Sequence, residues 1–231
     1  MNLKLRELYD LLPPSYELIN SIMTLGMDKS WRRRTVELAK DDSPPDTEQF
    51  CLDLCCGTGD TIVELKRLLP SASIIGADFS FAMLSRAKAK EVSETEYTLA
   101  AAEQLPFACE TFDVVTMTFA TRNVKTSKQV LIKAFAEIKR VLKPDGCFVT
   151  VETSQPPSAF IGFFFRLYVR LFVTPIGLLF SGVKDGYVYL TNSILSFYKA
   201  EELSELLKDA GFSRVEYEHL LFGGIAIHRA Q

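Results

Sequence analysis

The chain has few histidines and no excess of positive charge. Its 231 residues include 26 lysines and arginines against 29 aspartates and glutamates, which leaves a net charge of -3, and only 2 histidines. A nucleic-acid-binding protein would show clustered positive charge, so no nucleic-acid partner is expected. With 48% hydrophobic residues, the chain is long enough to bury the core of one large domain.

Metal-binding spacings are also missing. Cys51, Cys55 and Cys56 crowd together, but no second pair of cysteines or histidines stands at zinc-ligand spacing. No metal is therefore expected. The first ten residues alternate charge with leucine and lack the apolar run of a secretory signal, so we expect a cytoplasmic protein with free thiols.

Short apolar runs alternate with helix-period segments through the middle of the chain, which is typical of βαβ units and a mostly parallel sheet. The pattern predicts strands at 50–55, 72–78, 111–118 and 147–152, helices at 60–69, 127–142 and 201–210, and a terminal antiparallel hairpin of 213–219 and 225–229. A further helix begins after Ser80, with Phe81, Leu84 and Ala87 on one face. The sequence thus predicts an α/β fold.

The longest hydrophobic run, Phe160–Phe180, is long enough to suggest a membrane span, but Arg166, Arg170 and Pro175 interrupt it. Arginines four residues apart share one helix face, so a helix with one charged stripe fits better. Two interpretations stay open. The run forms core-packing helices of an insertion, or it forms a hydrophobic substrate channel or membrane-surface element.

A glycine-containing turn follows the first predicted strand. Asp53 lies near the end of that strand, Gly57 and Gly59 let the backbone pass close to a ligand, and Asp78 ends the next strand, where a carboxylate can accept hydrogen bonds from ribose hydroxyls. A dinucleotide would place its phosphates over the helix that begins at Asp60, whose negative charge opposes them. A cofactor with an ammonium and a sulfonium avoids that conflict. The alternative is a capped turn that binds no ligand.

The segment D-x-C-x-G-x-G resembles motif I of class I S-adenosylmethionine-dependent methyltransferases, with Cys55 where many members have the first glycine. The resemblance implies that Asp53 faces the methionine part of the cofactor. The cofactor-binding residues expected on this basis are Asp53, Cys55, Gly57, Thr58, Gly59, Asp78, Phe79, Ala102, Glu103 and Thr118.

The stretch Ala102–Phe107, followed by Phe112 and Asp113, resembles the segment that lines the adenine in this class. Most relatives carry an aspartate just before it that holds the adenine amino group, whereas this chain has three alanines, 100–102. The departure leaves the adenine to apolar contacts with Phe79 and Leu105, to backbone groups, or to Glu103.

Further stretches resemble the menaquinone and ubiquinone C-methyltransferase family, nearest the demethylmenaquinone and demethylphylloquinone branch. They are Tyr9-Asp10, Tyr16–Asn20, Leu25-Gly26, Trp31-Arg32, Phe119–Val124, Arg140–Pro144 and Gly223–Arg229. The resemblance implies a Rossmann-like class I methyltransferase fold with a seven-stranded, mostly parallel sheet and a C-terminal antiparallel hairpin. It divides the single domain into lid helices (1–40), a cofactor-binding core (50–153), an apolar helical insertion (156–197) and a C-terminal helix and hairpin (198–231).

This family transfers a methyl group to a ring carbon of a prenylated demethylquinol, demethylmenaquinol in the nearest branch. Arg122, Asn123 and Tyr16 are the catalytic candidates: Arg122 to steady a phenolate or orient a water, and Asn123 to hold a ring oxygen. The alternative for Arg122 and Asn123 is a helix cap or a surface ion pair. Asn20, Tyr187 and Tyr189 are weaker candidates over the substrate.

The prenyl tail implies transient contact with the inner face of a membrane, and a homodimer is compatible with the sequence. Three other functions stay open: methylation of another lipophilic phenol or benzoquinol, a catalytically silent cofactor- or lipid-binding member of a biosynthetic complex, and a membrane-anchored protein.

Overall fold

A seven-stranded sheet forms the centre of the computed structural model, which describes residues 16–40, 48–173, 175–176 and 184–231. The strands are β1 Phe50–Leu54, β2 Ser73–Asp78, β3 Thr95–Leu99, β4 Phe112–Thr118, β5 Leu142–Thr153, β6 Val215–Leu220 and β7 Ile225–Ala230. Their order is β3-β2-β1-β4-β5-β7-β6, and β7 runs antiparallel to both of its neighbours. The expected mostly parallel sheet with a C-terminal antiparallel hairpin is confirmed.

The α-helices with described bounds are α1 Tyr16–Met23, α2 Met27–Lys40, α3 Asp60–Leu68, α4 Phe81–Lys88, α5 Thr121–Val124, α6 Lys128–Val141, α7 Ala159–Tyr168, α8 Lys184–Leu195 and α9 Ala200–Asp209. A π-helical turn, Val169–Val173, continues α7. The side chains of Ser80, Ser127 and Ser158 accept hydrogen bonds from backbone N–H groups at the starts of α4, α6 and α7. The part of the predicted lid segment before Tyr16 lies outside the described residues.

Each face of the sheet has its own hydrophobic core. On one face Phe135 of α6 and Leu207 of α9 pack with strand residues such as Phe148. On the other, Trp31 and Val36 of α2 pack with residues of α3 and of the strands. Helix α2 is therefore a core helix of the domain as well as a wall of the cavity described below.

Two local predictions differ from the structure. The sequence analysis assigned no range to β3, whose alternating polar residues are all at least partly exposed because the strand lies at the sheet edge. Phe81 was expected on one apolar helix face with Leu84 and Ala87, but it is 69% exposed, and Met83 is buried with those two residues instead.

The apolar insertion forms a third, smaller cluster, in which Val169, Val173 and Ile194 pack together with Met23 of α1. Within the described residues, no helix has the length and hydrophobicity required to cross a membrane.

We predict that Phe135→Ala lowers the free energy of unfolding by about 3–5 kcal/mol, because a fully buried ring is lost and a cavity remains. The matched control, Phe81→Ala, removes an exposed ring and should change stability by less than about 0.5 kcal/mol. Urea denaturation followed by circular dichroism measures both values. Equal effects of the two variants would contradict the assignment of the core.

Candidate functional site

The candidate site lies at the carboxyl ends of β1, β2, β4 and β5. The strand order reverses between β1 and β4, which are parallel neighbours followed by β2 on one side and β5 on the other. Connections leave such a point in opposite directions and open a crevice, where ligands bind in open α/β sheets.

The turn between β1 and α3 forms the floor of this crevice. Cys55, Gly57 and Gly59 all have positive φ angles, of 56°, 55° and 84°. A Cβ on Gly57 would meet nothing within 4 Å, so this residue faces open space, whereas a Cβ on Gly59 would lie 3.1 Å from the Ala87 side chain. Gly57 thus leaves room at the cavity, while Gly59 allows α3 and α4 to pack closely.

Asp78 holds this turn in place. One carboxylate oxygen accepts a hydrogen bond from the Gly57 N–H (2.9 Å), and the other accepts one from the Ser80 N–H (2.9 Å). The carboxylate is buried and lines the cavity beside Phe79. Each carboxylate oxygen has more than one lone pair, so Asp78 keeps capacity for hydroxyl donors of a ligand.

Asp53 is buried directly behind the turn. The Thr116 hydroxyl donates to its Oδ1 (2.7 Å), while Oδ2 is buried and accepts no hydrogen bond from the described residues. Burial raises the pKa of the Asp53 carboxyl to about 7, against the lowering effects of Thr116 and of the Arg32 charge. A buried oxygen without a partner is costly, so this carboxylate is suited to a cationic donor from a ligand.

Arg32 of α2 reaches the same place from the opposite wall. Its Nη1 donates to the hydroxyl of Thr61 (3.0 Å), at the start of α3, and to that of Thr118, at the end of β4. The two hydroxyls also share a hydrogen bond (2.7 Å). The guanidinium lies 5.3 Å from the centre of the Phe119 ring.

The expected adenine side of the cavity is mostly apolar. Phe79, Met83 and the alanines 100–102 line it together with Glu103. Leu105 is different from the expectation: its side chain is buried in the core, and its backbone N–H donates to Glu137 (2.9 Å). Met83 lines the cavity and Leu105 does not.

Arg122 and Glu152 form a buried ion pair at the ends of β4 and β5. The Arg122 Nη1 donates to Glu152 Oε1 (2.6 Å) and to the Phe119 carbonyl oxygen (3.3 Å), and the Arg122 backbone N–H donates to Glu152 Oε2 (3.2 Å). Arg122 is 8% exposed and Glu152 only 1%. The expected alternative of a surface ion pair is thus wrong, because this pair is buried and Arg122 lines the cavity with Asn123.

These groups meet in one cavity of about 470 Å³ that has two different ends. The polar end holds the turn, Asp78, Arg32 and Thr118. The other end is lined by apolar residues from α1 and the turn after it, α7, the π-helical turn, α8 and the segment before β7; they include Met23, Leu25, Ile161, Phe164, Phe165, Val169, Val173, Leu190, Ile194, Leu221 and Phe222.

Most of the sequence-predicted residues come together here. Cys55, Gly57, Thr58, Asp78, Phe79, Ala102, Glu103, Thr118, Arg122, Asn123 and Asn20 line the cavity. Asp53, Gly59, Tyr187 and Tyr189 do not; Asp53 and Tyr187 are buried. The Tyr16 side chain lies outside the described residues. The sequence analysis assigned no role to Glu152, Thr116 or Arg32, whose partners are distant in the chain.

The charges of the wall fit S-adenosylmethionine. The cavity lining contains four carboxylates, Asp28, Asp60, Asp78 and Glu103, against two guanidinium groups, Arg32 and Arg122. An excess of carboxylates suits a ligand with a sulfonium and an ammonium. The unpartnered Asp53 Oδ2 and the open space at Gly57 are the two further features that the methionyl part of this cofactor would use.

Comparisons with solved structures show the same fold. The chain is similar over its whole length to a SAM-dependent methyltransferase from Aquifex aeolicus, with a TM-score of 0.61, 15% identity and coverage of 98% of that chain. It also matches the [4+2]-cyclase SpnF with a TM-score of 0.61 and 19% identity, over 86% of this chain and 79% of that one. The fold alone therefore does not determine the reaction.

Sequence relatives are more specific. The chain is 37% identical to the ubiquinone/menaquinone biosynthesis C-methyltransferase UbiE of Desulfotalea psychrophila, over 96% of this chain and 87% of that protein. It is 39% identical to the demethylmenaquinone methyltransferase of Thermus thermophilus, over 94% of this chain and 96% of that protein. The model of the ubiE/COQ5 methyltransferase family matches residues 2–231, and the chain belongs to this family.

Proposed function

We propose that the protein transfers a methyl group from S-adenosylmethionine to a ring carbon of a prenylated demethylquinol, with demethylmenaquinol as the acceptor. The observation that carries this proposal is that one cavity combines charged residues at one end with apolar residues at the other. Membership of the ubiE/COQ5 family and the names of the relatives supply the reaction class.

At the polar end, Asp78 would accept the ribose hydroxyls while it holds the Gly57 backbone, and Asp53 would accept the ammonium. The cofactor supplies an electrophilic methyl group on a sulfonium. The protein mainly has to align that methyl group with the ring carbon and exclude water. The reduced ring is required, because a quinone is too electron-poor to attack.

At the junction of the two ends, Arg122 and Asn123 would contact the ring oxygens. Glu152 fixes the Arg122 guanidinium. Arg122 is therefore suited to orient either the hydroxyl of the quinol or a water molecule that accepts the proton of that hydroxyl. Transfer would form a carbon–carbon bond between the ring and the methyl group as the carbon–sulfur bond breaks to leave a thioether. The ring carbon would then lose its hydrogen as a proton and the ring oxygen would take a proton back, so that one proton is released in total.

A methyl-transfer assay with labelled cofactor tests the acceptor. We expect transfer to reduced demethylmenaquinone, and little or none to its oxidised form, to a demethylbenzoquinol or to a tocopherol-type phenol. Transfer to the benzoquinol or the phenol would replace the proposed acceptor. Uptake of S-adenosylhomocysteine without transfer to any acceptor would indicate a catalytically silent member.

The role of Arg122 needs a matched pair of variants. Arg122→Ala should lower kcat while binding of S-adenosylhomocysteine is largely kept, but it also leaves Glu152 buried without its partner, at a cost of about 3–5 kcal/mol in stability. The double variant Arg122→Gln/Glu152→Gln should recover most of that stability and still turn over slowly. A double variant with wild-type kcat would remove Arg122 from the proposed mechanism.

The pKa of Asp53 predicts how cofactor binding depends on pH. In the ligand-free protein, the pKa of about 7 means that ionising Asp53 costs folding free energy as the pH rises toward 7. Pairing with the ammonium offsets that cost, so binding should be roughly tenfold tighter at pH 8 than at pH 6. Calorimetry with S-adenosylhomocysteine measures this dependence. Asp53→Asn should bind weakly with no such slope, and an unchanged slope in this variant would assign the titration to another group.

We also propose that the apolar end of the cavity opens toward a membrane containing anionic lipid. Helix α7 and the π-helical turn carry an exposed hydrophobic face. Its side chains are 40–74% exposed: Phe160, Phe163, Phe164, Leu167, Leu171 and Phe172. Phe164 also lines the cavity. The segment Ala159–Val173 carries Arg166 and Arg170 and no acidic residue, in a chain whose net charge is negative. Exposed aromatic residues with arginines are typical of interfacial helices.

Vesicle flotation tests this surface. The wild-type protein should float with phosphatidylglycerol vesicles and less with phosphatidylcholine, and Arg166→Gln/Arg170→Gln should remove the difference. Phe163→Ser/Phe172→Ser should abolish flotation and retain activity on a short-chain quinol, whereas Tyr217→Ser, on β6, should float normally. Absence of flotation, or a wild-type dimer that the double serine variant dissociates, would contradict a lipid surface.

A further inference from the structure

Arg32 is a cation that faces the cavity without a carboxylate partner. Its two hydrogen-bond acceptors are the neutral hydroxyls of Thr61 and Thr118, and it makes no ion pair within the described ranges. Its Nε is buried and has no acceptor there. A neutral hydroxyl compensates little of the cost of taking a charge out of water, so this site lacks an anion.

The neighbouring arginines of α2 show that carboxylates were available to the helix. Arg33 pairs with Glu37 (3.0 Å) on the surface, and Arg34 donates to both oxygens of Glu218 on β6 (2.9 and 3.0 Å). Arg32 alone of these three turns toward the crevice. Within the described part of the chain, Arg32 lacks a carboxylate partner because it lies on the side of α2 that faces the cavity, whereas Arg33 and Arg34 lie where carboxylates are within reach.

Arg32 is also held where it is. Trp31 packs 6.0 Å from the Phe119 ring, the Arg32 guanidinium lies over the same ring, and α2 is part of the sheet core. The charge acts on Asp53, whose pKa it lowers. Arg32 lines the cavity and Asp53 is buried directly behind the turn that forms its floor, so two opposite charges lie near the same end of the cavity without a hydrogen bond between them.

We propose that Arg32 binds the α-carboxylate of the methionyl part of the cofactor, while Asp53 binds its α-ammonium. A zwitterion presents these two groups on adjacent atoms, and a guanidinium recognises a carboxylate through directed N–H donors. The buried Nε of Arg32 and the buried Oδ2 of Asp53 would then both gain partners. This inference rests on the cofactor of the proposed function and adds the residue that selects its carboxylate.

Two other roles would account for part of the same geometry. Arg32 could be only a structural tie between α2, α3 and β4 through the two threonine hydroxyls. It could also bind an oxygen of the quinol. Neither role depends on the carboxylate of the cofactor, so a ligand that lacks this group separates them from the proposal.

Calorimetry with two ligands provides the test: S-adenosylhomocysteine and its decarboxylated analogue, which keeps the amine and lacks the carboxylate. We expect the wild-type protein to bind S-adenosylhomocysteine about tenfold to hundredfold more tightly than the analogue. Arg32→Gln should reduce that ratio to about one and leave affinity for the analogue within about threefold, since only the missing contact is affected. Arg32→Lys should give an intermediate ratio.

The control is Arg33→Gln, which removes an outward-facing arginine of the same helix and should leave both affinities unchanged. Equal weakening of both ligands by Arg32→Gln would make Arg32 a structural tie. A ratio that persists in Arg32→Gln would assign the carboxylate to another group. If the wild-type protein binds neither ligand, the proposed function fails, and this result differs from both of the others.

Discussion

The reversal of strand order between β1 and β4 is the constraint on which the rest of the site depends. Because the chain leaves these two strands in opposite directions, the ends of both remain uncovered by their own connections. Asp53 and Thr118 lie at or near these ends and Asp78 ends the neighbouring strand β2, so the sheet fixes the backbone of all three. The insertion and the N-terminal helices then only have to close the crevice from above.

Sequence reasoning found the parts of the site that are local in the chain. The turn from Asp53 to Gly59 and the acid at Asp78 follow from strand ends and glycine positions, and both line or support the cavity. It assigned Gly59 to the ligand, but the close approach of Ala87 that explains this glycine depends on how α3 and α4 pack. Such a contact is visible only in three dimensions.

The parts that were missed depend on contacts between distant residues. Arg32 and Thr118 are 86 residues apart, and Arg122 and Glu152 are 30 apart, so no spacing rule links either pair. The pattern of an edge strand is similarly weak, since β3 carries no buried face that would mark it. In the insertion, hydrophobicity predicted helices correctly but gave no information on which rings line the cavity and which are exposed.

The two arginines of the cavity show how charge is distributed along it. The charge of Arg122 is neutralised by Glu152, so Arg122 offers a ligand oriented hydrogen-bond donors more than net positive charge. Arg32 forms no ion pair among the described residues, and a ligand carboxylate would supply the missing negative charge. A ligand bound there would bridge α2 to β1 and thus stabilise α2. Met23 of α1 and Leu25, in the turn between α1 and α2, line the apolar end. Occupation of the charged end would therefore help to organise the wall that receives the apolar acceptor, because α1 and the turn after it lead directly into α2.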